Sequence, residues 1–283
     1  MARVCVVGSV NADLTFTVDR LPLAGETVLA SALASWPGGK GANQAVAASR
    51  AGASVEFLGA VGTDAAASVL VAHLRGNGVG TLGVITVPGP TGTAAIMVDA
   101  NAENMIVVAP GANAHLVHDS AAMRSVVAGA DVVLLQLEIP LATAVAAAGV
   151  ARGAGATVIV NASPPNASAA MAELAALTDV VVVNETEAAQ WRWPAGHLVI
   201  TRGARGASYV ANGRSIDVAA PPVEPVDTTG AGDVFAGVLA AGWPSGVERA
   251  LRRACAAGAL ATLTPGAGDC APVEEAIEDA LAR

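Results

Sequence analysis

The stretch TTGAGDVFAG, residues 228–237, sets a lone carboxylate, Asp233, behind three residues with almost no side chain, Gly230, Ala231 and Gly232, at the mouth of an apolar helical run. Their backbone N–H groups can approach a ligand closely, and the helix that follows adds the positive end of its dipole, so the loop suits an anion. A carboxylate beside an anion repels it unless that carboxylate takes a proton from whatever attacks the anion. The local chemistry is that of a base next to a phosphate.

Other segments carry polar residues at places where ligands bind. PGGKGANQAVAA puts Gly38 and Gly39 before Lys40, with a helix beginning near Gly41. It is not a Walker A loop, because Gly41 rather than Ser or Thr follows the lysine; ligand contact and a plain turn with an exposed lysine stay equally open. Asn11 and Asp13 follow the first strand, and open α/β sheets bind ligands at the carboxyl ends of their strands. Asp13 is able to accept hydrogen bonds from hydroxyls, although turn or cap chemistry is the plainer account of Asn-x-Asp. Glu138 in QLEIP, just past another strand, invites the same two readings. In NETEA, Asn184 and Glu187 stand three apart on the first turn of a helix, which suits a capping box and equally a hydrated Mg²⁺ that takes few protein oxygens. ITRGARG offers Thr201 and Gly203 at the same sheet edge, while His115 and His118 lack a third ligand nearby and read as ordinary histidines.

The elements that position these residues follow from the apolar pattern. Short β-branched runs (RVCVVG, VEFLGAVG, DVVLLQLE, TVIVNA, VVVVN, HLVITRG) alternate with alanine-rich helical ones. Continuous apolar strands each followed by a helix predict a parallel sheet covered on both faces, a doubly wound α/β fold. Two segments depart from this: LTFTVDRLPLAGETVLASALASW and TGTAAIMVDANAENMIVVAPGAN alternate in character around turns, which predicts a small separate sheet that closes over a ligand or meets a second subunit.

Composition bounds the rest. With 283 residues, 53% hydrophobic and 14% charged, the chain has ample material for a core. A formal charge of −9 without a Lys/Arg run excludes the electrostatic footprint of a nucleic-acid or anionic-membrane binder. The uncharged stretch 76–98 is interrupted by glycines and prolines, unlike a spanning helix, and no signal peptide is recognisable. Cys5, Cys255 and Cys270 are odd in number and lack C-x-x-C spacing, so a reduced cytoplasmic setting is expected.

Taken in order, GSVNAD, GGKGANQAVAASRAGA, TGTA…ENMIVVAPGAN, QLEIP, NETEA, VITRGARG and DTTGAGDVFAG resemble the ribokinase family of small-molecule kinases, whose wider group includes other sugar and nucleoside kinases. The match runs almost end to end, and the Gly-Gly-Lys-Gly-Ala-Asn and Asp-Thr-Thr-Gly-Ala-Gly-Asp segments are specific to the group. The resemblance implies one three-layer α/β domain over residues 1–283, with a β lid from 12–35 and 91–109 that pairs with a second subunit's lid in a homodimer. It implies ATP-dependent phosphorylation of D-ribose at the 5-hydroxyl, with Mg²⁺ as cofactor and K⁺ as activating cation. Another sugar or a nucleoside stays open as acceptor. A non-catalytic sugar-binding protein on the same fold is the reading from another class, against which Asp233 speaks, because binding alone needs no base.

By the same resemblance Asp233 would take the proton of the sugar's primary hydroxyl while the N–H groups of Gly230, Ala231 and Gly232 hold the transferring phosphoryl. Asn11, Asp13, Gly38, Gly39, Lys40, Asn43 and Glu138 would hold the sugar. Asn184, Thr201, Gly203 and Arg205 would line the ATP site with Gly230 and Gly232, and Glu187 would organise Mg²⁺ indirectly. Asp227, Thr229, Ala261, Gly266 and Cys270 match the positions that enclose a monovalent cation. Three departures stand out: only AAQWRWPAGH separates NETE from LVITRG, where relatives carry a further helix; Cys255 stands where the family often has His or Asn near the adenine; and Cys270 replaces a serine at the cation site.

Overall fold

The structure, a computed structural model, describes residues 1–101, 103–117 and 120–282. His118 lies outside the described residues, as does Ala102 within the 91–109 stretch.

The chain opens with β1 (Arg3–Val7), β2 (Asn11–Thr17) and β3 (Ala32–Gly38), followed by α1 (Lys40–Arg50), β4 (Ser54–Val61), α2 (Ala65–Gly76) and β5 (Gly80–Thr86). The hairpin β6 (Gly92–Val98) and β7 (Asn104–Ala109) leads to α3 (Ala121–Ala128), β8 (Val132–Leu135), α4 (Leu141–Gly153), β9 (Thr157–Asn161), α5 (Met171–Leu177), β10 (Val180–Asn184) and α6 (Glu185–Ala188). Then come β11 (His197–Thr201), β12 (Ala207–Ala211), β13 (Arg214–Val218), α7 (Ala231–Gly242), α8 (Val247–Ala261) and α9 (Glu274–Leu281).

Nine strands form one sheet in the order β13-β12-β11-β10-β9-β8-β1-β4-β5. From β11 to β5 the pairing is parallel, as the continuous apolar runs require. The antiparallel edge β12–β13 is an addition to the expected pattern. Its turn holds Asn212 at φ 50° and Gly213 at φ 72°, the left-handed pair that a two-residue hairpin demands.

Side chains alternate between two cores. Val6, Phe57 and Leu134 pack beneath α1, α2, α7, α8 and α9, while their neighbours Val7, Leu58 and Leu135 pack beneath α3, α4 and α5. Each such fully buried leucine contributes about 1.5–3 kcal/mol. The result is the three-layer α/β fold read from the pattern. Because seven strands run the same way, the loops after β1, β8, β9, β10 and β11 emerge at one edge, and α7 begins there too.

The remaining strands make a second sheet in the order β3-β2-β6-β7, with β2 and β6 parallel between two antiparallel pairs. Asn11 and Asp13 therefore lie in β2 rather than in a turn. The register puts Asp13, Trp36, Ala94 and Val108 on one face and Leu14, Leu33, Met97 and Met105 among the residues of the other.

Candidate active site

Asp233 sits in the first turn of α7, buried to 8% exposure. The residue capping that helix, Gly230, has φ 78°, a left-handed conformation that glycine adopts without penalty, and it lets the chain turn into α7, whose first N–H, that of Ala231, donates to the Thr228 carbonyl at 3.3 Å. A Cβ on Gly232 would meet nothing within 4 Å, so the backbone there borders open space. Gly230, Gly232 and Asp233 share a small cavity of about 160 Å³ with Lys40, Asn184 and Glu187.

Lys40 begins α1 and is drawn electrostatically by Asp233 most of all, then by Glu138 and Glu187. Their pull outweighs its burial and keeps it more firmly protonated than an ordinary lysine. A fixed positive charge thus stands among carboxylates at the centre of the site.

On one side of Asp233 lie the residues expected to hold a sugar. Asn43 Nδ2 donates to Asp233 Oδ2 at 3.1 Å. Asn11 Oδ1 accepts from Asn113 Nδ2 at 2.8 Å, and Asn113 also receives the Val10 N–H at 3.0 Å, so the amide of Asn11 is held by a residue of the segment following β7. Glu138 Oε2 accepts from Ser9 Oγ at 2.5 Å and from the Lys40 N–H at 3.3 Å. The Asp13 carboxylate lies over Gly38, where an added Cβ would fall 2.0 Å from Oδ2, so the close approach requires glycine. Oδ1 of Asp13 is buried without a hydrogen-bond partner. Burial, followed by repulsion from Glu138 and Asp233, pushes the Asp13 carboxyl up to about 7. A buried acceptor without a donor is costly, and a hydroxyl is a donor of the kind it lacks.

On the other side a cleft of about 690 Å³, a size that suits a small-molecule ligand, runs between α7, α8 and the loops after β10, β11 and β13. Asn184, Thr201, Gly203, Ala231 and Gly232 line it. Arg205 does not; its guanidinium pairs with Glu185, itself a wall of the cleft, at 2.6 Å. Cys255 lines the cleft with a thiol 3.7 Å from the Val218 carbonyl, and burial pushes it up to about 12, leaving a neutral, weakly polar surface there. No helix intervenes between α6 and β11, in keeping with the short AAQWRWPAGH segment.

Asn184 and Glu187 form both halves of a capping box: Asn184 Oδ1 accepts the Glu187 N–H at 2.8 Å and Glu187 Oε2 accepts the Asn184 N–H at 2.9 Å. Glu187 also lines the Lys40 cavity, with one oxygen not used by the capping box. Among the described residues no cluster of three or more His, Cys, Asp or Glu side chains gathers as a metal cage. That donor set fits a Mg²⁺ that keeps its waters and is held largely by phosphate.

Asp227, Thr229, Gly266 and Cys270 come together behind the loop. Asp227 Oδ1 accepts the Thr229 N–H at 2.8 Å and Oδ2 accepts the Gly266 N–H at 2.9 Å. Burial raises the Asp227 carboxyl, but these hydrogen bonds outweigh it and hold the group below its usual range. The Cys270 thiol lies 3.9 Å from the Thr229 carbonyl and 3.3 Å from that of Ala267. Ala261 ends α8 one residue before Thr262, whose carbonyl receives the Asp227 N–H at 3.0 Å. Carbonyl and carboxylate oxygens on adjacent turns fit a hard monovalent cation, with sulfur as the soft exception.

Gln44, Gln136, Asn161, Ser9 and Asn113 also belong to this constellation and went unassigned in the sequence. Gln44 and Gln136 are each 0% exposed. Their signal was a polar side chain on the apolar face of a predicted helix and at the end of an apolar strand.

Residues 1–274 match the family model described as pfkB family carbohydrate kinase. The chain is 36% identical over 296 residues to the ribokinase of Bacillus subtilis strain 168, covering 99% of this chain and 100% of that one. Its identity to the ribokinase of Haemophilus influenzae is 35%, over 95% of each chain. Among solved structures, Arabidopsis thaliana ribokinase complexed with ribose and ATP superposes with a TM-score of 0.90 at 30% identity, covering 100% of this chain and 99% of that one.

Proposed function

The chain belongs to the pfkB family of carbohydrate kinases, and from that footing we propose that it transfers the γ-phosphoryl group of ATP to the 5-hydroxyl of D-ribose. One observation carries the reading: Asp233 shares a cavity with Lys40, Gly230 and Gly232, the last of which also walls the larger cleft, while its carboxylate accepts from Asn43 and lies close enough to Asp13 to repel it, a base with an anion loop on one side and hydroxyl acceptors on the other.

The residues divide the work as the chemistry requires. Asn11, Asp13, Gly39, Asn43 and Glu138 take the sugar hydroxyls, with Asp13 Oδ1 gaining the donor it lacks. Asp233 accepts the proton of the attacking hydroxyl. Lys40 and the N–H groups of Gly230, Ala231 and Gly232 face the charge that builds on the phosphoryl oxygens. Asn184, Thr201 and Gly203 line the nucleotide side. Glu187 would help to hold a hydrated Mg²⁺, which would neutralise charge on the phosphates, and Asp227 with the carbonyls of Thr229, Ala261 and Gly266 would hold K⁺ beside the loop that leads into Gly230.

The four-stranded sheet acts as a lid over the sugar and joins two subunits. Met105, Ile106, Val107 and Val108 are all exposed on its edge strand β7, as are Leu33 and Trp36 on β3, an apolar surface that calls for cover. A reducing cytoplasm suits three cysteines that are all free and buried. No helix among the described residues is long and apolar enough to cross a membrane.

A coupled ADP-release assay with MgATP over a panel of pentoses, hexoses and nucleosides tests the proposal. Turnover greatest with D-ribose supports it; turnover confined to another acceptor replaces ribose, and none with any acceptor removes the kinase assignment.

A further inference from the structure

Both oxygens of the Asp233 carboxylate are engaged by consecutive residues of α1. Asn43 Nδ2 reaches Oδ2 at 3.1 Å and Gln44 Nε2 reaches Oδ1 at 2.9 Å. The first of these amides belongs to a residue proposed to address the sugar. The second is fully buried, at 0% exposure, and touches no space a ligand can enter.

The chemistry of the carboxylate fixes how Gln44 is turned. An ionised carboxylate only accepts, so the atom of Gln44 that faces it is the amide nitrogen, and the Gln44 oxygen must face the other way. There Gln136 Nε2 donates to it at 2.6 Å. Gln136 is thereby fixed in turn, with its own oxygen left unpartnered above Gly8, where an added Cβ would lie 1.8 Å away. Gln44 Nε2 also donates to Asn161 Oδ1 at 3.0 Å, and Asn161 Nδ2 donates to the Val182 carbonyl at 3.2 Å. A directed chain of amides thus ties the plane of Asp233 to the ends of β8 and β9 and to β10.

Helix packing sets the spacing. Gly237 lies one turn after Asp233 on α7, and a Cβ there would fall 2.3 Å from the Gln44 carbonyl oxygen and 2.9 Å from the Ala47 Cβ. The two helices touch at this glycine, which brings the amides of α1 level with the carboxylate.

We propose that Gln44, backed by Gln136, is the positioning residue that holds the carboxylate plane of Asp233 toward the attacking hydroxyl. A single donor from Asn43 leaves the broad, two-fold χ2 torsion of an aspartate loosely set; two donors, one per oxygen, define it. Misplacing a reacting group by an ångström costs on the order of 10² in rate. The proposal rests on Asp233 being the base.

The test uses the full chain and the isosteric variant Gln44→Met, which keeps the volume and loses both donors. Expected are a kcat with D-ribose lower by about 10–10², a ribose KM and calorimetric Kd within about twofold of wild type, and no further loss of rate when Gln44→Met is added to Asp233→Asn. An unchanged kcat, a loss confined to KM, or losses that multiply in the double variant would each overturn it. Wild-type enzyme inactive toward every acceptor would instead remove the functional reading itself. Should Gln44→Met fail to fold, Gln136→Met carries the test, since it leaves the Gln44 donors in place but releases their anchor: a lower kcat at constant KM supports the proposal and an unchanged kcat overturns it.

Discussion

Asn43 on α1 donates to Asp233 on α7 at 3.1 Å, joining two motifs that lie 190 residues apart in the chain. In the proposed mechanism the contact couples the residue that addresses the sugar to the residue that takes its proton, so that a sugar seated against Asn43 would also be seated against the base.

Replacing the carboxylate by its amide tests that assignment. Asp233→Asn keeps the fold, because the new group is isosteric and the Asn43 amide can turn its oxygen toward the new NH2, and keeps ribose binding, while kcat falls by about 10²–10⁴. Steady-state kinetics beside calorimetric ribose binding reads both. Turnover near wild type would remove Asp233 from the mechanism.

Asp13 has a separate signature. Its carboxyl lies near pH 7 because it is buried and repelled by Glu138 and Asp233. Between the ordinary carboxylate value near pH 4 and about 7, the folded chain holds a proton there that the unfolded chain has lost, so this group's contribution to stability falls as pH rises. Asp13→Asn therefore raises the melting temperature at pH 8, by about 2–4 °C for each kcal/mol relieved, and the gain disappears near pH 4. The same variant weakens ribose binding by removing an acceptor. Melting curves that show no gain at pH 8, or calorimetry with unchanged ribose affinity, contradict the role.

How much of this was legible in the sequence depended on whether a signal was local. The layers followed from apolar runs, and the glycine loop announced itself through residue type and its place before a helix. The pairing of β2 with β6 was not legible, because alternation identifies a strand and its hairpin partner but not the neighbour on its other side. Gln44 was overlooked because a single glutamine among alanines reads as an exposed helix position, and only the crossing of α1 with α7 at Gly237 turns it inward. Arg205 shows the converse: a basic residue beside a binding loop, spent on Glu185 instead of facing the cleft.

From the exposed apolar residues of β3 and β7 we predict a homodimer joined through the small sheet. Light scattering at micromolar concentration should give twice the chain mass, and Val107→Lys should shift it toward the monomer. A wild-type monomer would contradict the interface.

Cys270 brings a soft sulfur beside the Thr229 carbonyl at 3.9 Å, where a hydroxyl would offer a better ligand to a hard cation. Activity should rise with K⁺, and Cys270→Ser should reach the same activation at lower K⁺. KCl titrations at constant ionic strength that superimpose for the two proteins would mean that Cys270 does not face the cation.

ADP release with D-ribose compared against 5-deoxyribose is the sharpest test of whether Asp233 deprotonates the 5-hydroxyl of ribose for attack on ATP. Rapid, Asp233-dependent turnover is expected with ribose and none above background with 5-deoxyribose, which has the same ring hydroxyls but lacks the attacking oxygen. Equal ADP release with both sugars, or release with ribose that survives Asp233→Asn undiminished, would contradict it.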